Sequence, residues 1–377
     1  MDFATRFQQP VGPSPWADSG DGRTDTATGL PPDMVAALAR PSAETLARAG
    51  IEFGPEDKFV SFDPAPQRGA YGANLPNEIS YIPFEGNVFE GGCQPTDFDQ
   101  GPSGICGPAS ILKIAAADDP AAMQDSVRDL NDGTVLVRHH NLEPPAPDGL
   151  DTRVAEGFTY YHIPKVVPVD ADNPGSLLVA DNAQGWWHTG HLLALSLADR
   201  QWTPQQWAES EAEWRKRKPA VDAERTAASD FMSCLTDDGE YIPPLADDAA
   251  PTGLYRLNQG YNYLSAARAC SAITGRTSVV RHCTNGDAML SGLNAMRLLG
   301  ADVMFGTVDS HQDLGHDLVP DHWYGFGDVD SNGARLVEPS GSRPPERLSG
   351  AQLVAAVGGG FLAILPKVLK LPGLPMF

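Results

Sequence analysis

The run QGPSGICGPASILKIAAA occupies residues 100–117, and its second half reads as a buried helix. Pro108 suits a first helical turn, and Ile111, Leu112 and Ala115 recur at helical spacing. Cys106 therefore stands where that helix begins, and a helix N-terminus favours a thiolate through its oriented N–H groups and dipole. Gln100 lies six residues earlier, where its side-chain amide can join the Cys106 N–H as an oxyanion hole. Gly101, Gly104 and Gly107 let the backbone turn tightly and leave room for a substrate carbonyl, which makes Gly104 and Gly107 candidate substrate-binding positions. Read alone, a cysteine in a glycine-rich turn is a small buried apolar residue. The glutamine, the glycines and the helix start together point to a nucleophile.

A nucleophilic thiol needs a base, and the chain has nine histidines. His322 opens the run HWYGFGDVD, which alternates like a strand, and SNG at 331–333 turns it into a second strand, ARLVEPSG. Such a hairpin brings Glu338 within a residue or two of the position opposite His322, where a carboxylate can orient the imidazole and stabilise its protonated form. His139, His140, His162, His188, His191, His282, His311 and His316 lack that setting and read as structural, with His316 notable for lying six residues before His322. Of the tryptophans, Trp186 and Trp187 read first as core or cleft wall, and Trp187 and Trp323 are the aromatic candidates for substrate contact.

The order Gln…Cys, then His, then a polar residue followed by Pro and Gly resembles the calpain family of papain-fold cysteine peptidases. The family's Q-G-x-x-G-x-C-W motif falls on Gln100 and Cys106, its strand-borne histidine on His322, and its N-P-W-G on Glu338-Pro339-Ser340-Gly341. HIPKVVPVDADNPGSLLVADNAQGWW, LYRLNQGYNYLSAARACSAITG and LSGLNAMRLLGADVMFGTVDS are similar to blocks between those motifs, so the likeness covers about residues 90–345. Three features depart from the family: Glu338 replaces Asn, Gly107 replaces Trp, and residues 200–251 look like an insertion. With Glu338 in the Asn slot, either that carboxylate orients His322 or the partner is Asp321 or Asp328.

The resemblance implies an α+β papain-like fold with the active-site cleft between a helical and a β-rich subdomain. On this reading residues 1–32 are a flexible leader, 33–90 an N-terminal extension, 91–285 the helical subdomain carrying the nucleophile, and 286–377 the β-rich subdomain carrying the histidine. The implied activity is endopeptidase hydrolysis of protein substrates through a thioester. Deamidation, transglutamination or amidase action on the same triad, or a catalytically inactive binding fold, stay open as alternatives. Calpain cores bind calcium, but their ligands match nothing here residue by residue, so no metal is carried over. Asp328-Val329-Asp330-Ser331-Asn332-Gly333 matches the start of an EF-hand loop, yet its twelfth position is Pro339 where a bidentate Glu is needed.

Composition limits the alternatives. A net charge of -22, from 49 acidic and 27 basic residues, repels a phosphate backbone, so nucleic acid is not an expected partner. The basic run at 215–218 follows Glu209, Glu211 and Glu213 on one helical pattern and reads as a self-paired face. Five cysteines without CxxC spacing fit a reducing, cytoplasmic setting. The first 20 residues lack an apolar h-region, so the expectation is a cytoplasmic protein or one exported without a Sec-type signal. The apolar C-terminal run is broken by Pro366, Lys367, Lys370, Pro372 and Pro375, which argues against a membrane span.

Overall fold

The structure, a computed structural model, describes residues 30, 38, 41–62, 79–88, 92–93, 105–143, 151–170, 173–177, 186–198, 263–307, 318–319, 322–337 and 346–367. In chain order it opens with α1 (Ala43–Arg48), β1 (Lys58–Ser61), β2 (Ile79–Pro83), α2 (Cys106–Asp118), α3 (Pro120–Asp125), β3 (Val127–Asp129) and β4 (Thr134–Leu142). It continues with β5 (Asp151–Thr152), β6 (Val154–Pro164), β7 (Val166–Asp170), β8 (Asn173–Leu177), α4 (Trp187–Ala198), α5 (Tyr263–Thr274) and β9 (Ser278–His282). The last elements are α6 (Gly286–Leu298), β10 (Asp302–Gly306), β11 (Trp323–Asp330), β12 (Gly333–Val337), β13 (Glu346–Leu348), α7 (Gly350–Ala356) and β14 (Gly360–Ile364).

The fold is mixed α+β, and the described residues form three sheets. The largest is antiparallel throughout, in the order β13-β12-β11-β10-β14-β9-β5. A second runs β1-β6-β4-β3, and a third β2-β7-β8. Period-two alternation sends successive side chains of the large sheet into two different cores. Val280, Met304, Trp323, Leu362 and Ile364 join Cys106, Ile111 and Leu112 of α2 and Ala266, Ala267 and Cys270 of α5. Val279, Val303, Phe305, Tyr324, Phe361 and Ala363 join Met289 and Leu293 of α6 and Leu353, Val354 and Ala356 of α7. Helices thus cover both faces, and α2 and β11 pack directly.

Helix ends follow their local chemistry. At the start of α6 Asn285 is the N-cap: its side chain accepts the Ala288 N–H at 2.9 Å. The helix stops in a Schellman motif, with Ala301 N–H on the Met296 carbonyl at 3.0 Å and Gly300 at φ +73°. At the β11–β12 turn a Cβ on Gly333 would stand 2.1 Å from the Leu348 carbonyl oxygen, so only glycine lets β13 close on β12.

Strands are not confined to the expected β-rich subdomain at 286–377. Among the described residues β1 to β9 all precede it, and β5 and β9 enter the same sheet as β10 to β14. The reason lies in β4 and β6. Thr134, Val135, Leu136 and Val137 are successive buried positions, so this strand is covered on both faces and shows little alternation.

Candidate active site

Cys106 is the first residue of α2, and its N-cap is Ile105, which offers no side-chain cap. Pro108 has no N–H, and Gly107 has no side chain, so the first turn presents backbone rather than side-chain groups. The positive end of the helix dipole therefore faces whatever lies beyond Cys106. Inside the helix Ser110 Oγ donates to the Cys106 carbonyl at 2.7 Å and Ala109 N–H donates to the Ile105 carbonyl at 3.0 Å. Cys106 itself is 6% exposed.

His322 immediately precedes β11 and is held by its backbone. Its N–H donates to Thr307 Oγ1 at 2.9 Å, and the Thr307 N–H donates to the His322 carbonyl at 2.9 Å. The same hydroxyl donates to the Val319 carbonyl at 2.7 Å, tying the approaching segment to the end of β10. The half-buried imidazole stands edge-on to the Tyr324 ring at 5.1 Å. Trp323 belongs to the core that holds Cys106, whereas Tyr324 belongs to the other. The imidazole therefore leans on Tyr324, whose side chain enters the core that does not contain Cys106.

The remaining expected residues divide sharply. Gln100, Gly104, Asp321 and Glu338 lie outside the described residues, and the β11–β12 ladder is described as far as Gly325 opposite Val337. Asp328, one alternative partner for His322, is excluded. It lies six residues along β11, about 20 Å at the rise of a strand, and its carboxylate pairs with Arg335 at 3.0 Å and Arg347 at 2.9 Å. Asp330 pairs with Arg347 as well, so the EF-hand-like start has its two carboxylates occupied by guanidinium and does not fit calcium. Among the described residues no group of three or more His, Cys, Asp or Glu is placed to hold a metal ion.

Trp187 and Trp323, the aromatic substrate candidates, are 1% and 4% exposed and act as packing groups. Trp187 meets the His188 and His191 rings, and Trp323 meets the Tyr263 ring at 5.0 Å. Gly107 is buried at the helix start. Of the other cysteines, Cys270 and Cys283 have thiols pushed up by burial, which keeps them protonated and inert.

A buried histidine chain was not visible in the sequence. Ser126 Oγ lies 2.9 Å from His191 Nε2, and His191 Nδ1 lies 3.0 Å from His139 Nε2. Burial first, then the neighbouring His188, pulls His191 down to about 3; burial, then His191 and His140, pulls His139 well below the usual range. A base held that low is a poor acceptor for a serine proton, and the Ser126 hydroxyl already donates to the Met123 carbonyl at 2.6 Å. The chain is thus a neutral structural network and not a second nucleophilic centre. Ser126 borders a cavity of about 780 Å³ shared with Arg128, Arg138, Asp57 and Tyr160, and none of its lining residues belongs to α2 or β11.

No helix among the described residues is long and apolar enough to cross a membrane. No family model matches the chain, and no curated protein matches it.

Proposed function

We propose that the chain is a papain-like cysteine endopeptidase of the calpain type, with Cys106 as nucleophile, His322 as base, Gln100 as oxyanion donor and Glu338 as orienter. The observation that carries this reading is the packing of α2, which begins at Cys106, directly on β11, which begins one residue after His322. Burial disfavours the Cys270 and Cys283 thiolates as competing nucleophiles.

In the proposed reaction His322 takes the Cys106 proton as sulfur bonds to the peptide carbonyl carbon. The Cys106 N–H and Gln100 hold the oxyanion. The C–N bond then breaks as protonated His322 gives its proton to the leaving amine. Water hydrolyses the thioester, releasing the acid and restoring the thiol. The imidazole must leave Tyr324 to meet the sulfur.

The burial of Cys106 and the lean of His322 on Tyr324 favour a second reading, a peptidase-like fold that is catalytically silent and serves binding. Electrophilic thiol probes and a protein mixture analysed by mass spectrometry separate the cases. Labelling of Cys106, lost in Cys106→Ala and cut about 100-fold in His322→Ala, with new peptide termini, supports the peptidase. Changed Gln side chains without new termini indicate deamidase or transglutaminase action, and an unlabelled Cys106 indicates the silent fold.

A further inference from the structure

Arg276 is a buried cation that the reaction above does not use. Its side chain is 3% exposed, and its guanidinium joins three elements. Nη1 donates to Asp118 Oδ2 at 3.0 Å and Asp302 Oδ2 at 2.6 Å, while Nε and Nη2 donate to the Leu365 and Ile364 carbonyls, each at 2.8 Å. Asp118 is the last residue of the Cys106 helix, and Asp302 is the first residue of β10. The far end of β10 leads to Thr307, which holds His322.

Two arms therefore leave one guanidinium. From Asp118 back to Cys106 the 13-residue helix rises about 18 Å. From Asp302 to Thr307 the strand rises about 17 Å. α2 also packs on β11, the neighbour of β10, and the two arms that leave the guanidinium are of similar length.

We propose that Arg276 is a positioning residue, a brace that sets the level of Cys106 against the His322 end of the β10–β11 pair; this rests on the peptidase reading above. Asp118 supplies the second half of the case. A carboxylate on the last residue of a helix opposes the macrodipole, and here Arg276 offsets that cost. Without the guanidinium, Asp118 and Asp302 confront each other across the vacated position and push the arms apart.

The test is site-resolved alkylation of Cys106 by iodoacetamide in the full chain, from about pH 5 to 9. The rate at pH 6.5 is expected to fall about tenfold in Asp118→Asn, the equivalent of one pH unit in the profile. Its thermal midpoint should change little, because Arg276 keeps Asp302 and the Ile364 and Leu365 carbonyls while the helix end loses a carboxylate. Arg276→Met should lose more reactivity, and Arg276→Lys should recover part of it. A folded Asp118→Asn protein with the wild-type profile overturns the brace while leaving the peptidase reading standing. Rate losses that merely track the thermal midpoint across the variants also overturn it. A wild-type Cys106 whose reactivity ignores His322→Ala overturns both.

Discussion

Ser126 Oγ and His191 Nε2, 65 residues apart in the chain, lie 2.9 Å from each other at the head of a hydrogen-bonded series that ends on His139. His139 and His191 are stacked, ring centroids 5.2 Å apart at 6°. Every imidazole in this series is held neutral, because burial disfavours its charged form and the neighbouring imidazoles add to that.

That requirement predicts acid lability. Burial is the leading cause that lowers His139, His140, His162 and His191 from an ordinary value of 6.5, with His140 at about 4 and His191 at about 3. Arg138 and Lys367 beside His140 and the His188 ring beside His191 add to it, while Asp132 and the Leu38 backbone near His162 and the Met123 backbone near His191 work against it. Between each folded value and 6.5 the unfolded chain binds more protons, so stability is complete above pH 6.5 and falls as pH drops toward 3. Each unit is about 1.4 kcal/mol, so the loss is on the order of several kcal/mol. Urea midpoints measured at pH 7 and pH 5 should differ clearly, and His191→Gln should flatten the slope. A pH-independent midpoint would contradict the buried neutral network.

Tyr263 secures the strand pair behind the candidate site. Its hydroxyl accepts the Gly306 N–H at 2.8 Å and donates to the Gly360 carbonyl at 3.0 Å, bridging β10 and β14. Tyr263→Phe keeps the ring and strands both backbone groups, at a cost of about 1–3 kcal/mol. Equilibrium denaturation gives the loss, and hydrogen exchange at the Gly306 amide should show where it falls.

Thr307 holds the backbone of His322. Thr307→Val keeps the volume but removes the acceptor for the His322 N–H and the donor to Val319. Fold stability should drop by about 1–2 kcal/mol, while thiol-probe labelling of Cys106 falls further than that loss explains. Thr307→Ser should restore it. Equal labelling in the valine and serine variants would remove Thr307 from the site.

Much of the local structure was legible in the chain. The Cys106 helix and the β11–β12 hairpin sit within a few residues of where periodicity and turn residues put them. Asn285 and Asp287 can both cap α6 by residue type, and only backbone geometry decides between them. Asp328 was a plausible partner for His322 by sequence distance alone. The extended rise of β11 and the claims of Arg335 and Arg347 remove it.

The amino-acid sequence by itself determined the helix that starts at Cys106, the strand that starts after His322, and the hairpin turn at Gly333, because each depends on neighbours within one or two turns. Only the tertiary structure decided that α2 lies on β11, that Arg276 joins Asp118 to Asp302, and that His139 meets His191. Those contacts join residues from 26 to more than 200 positions apart, and burial sets them, a quantity no local pattern encodes.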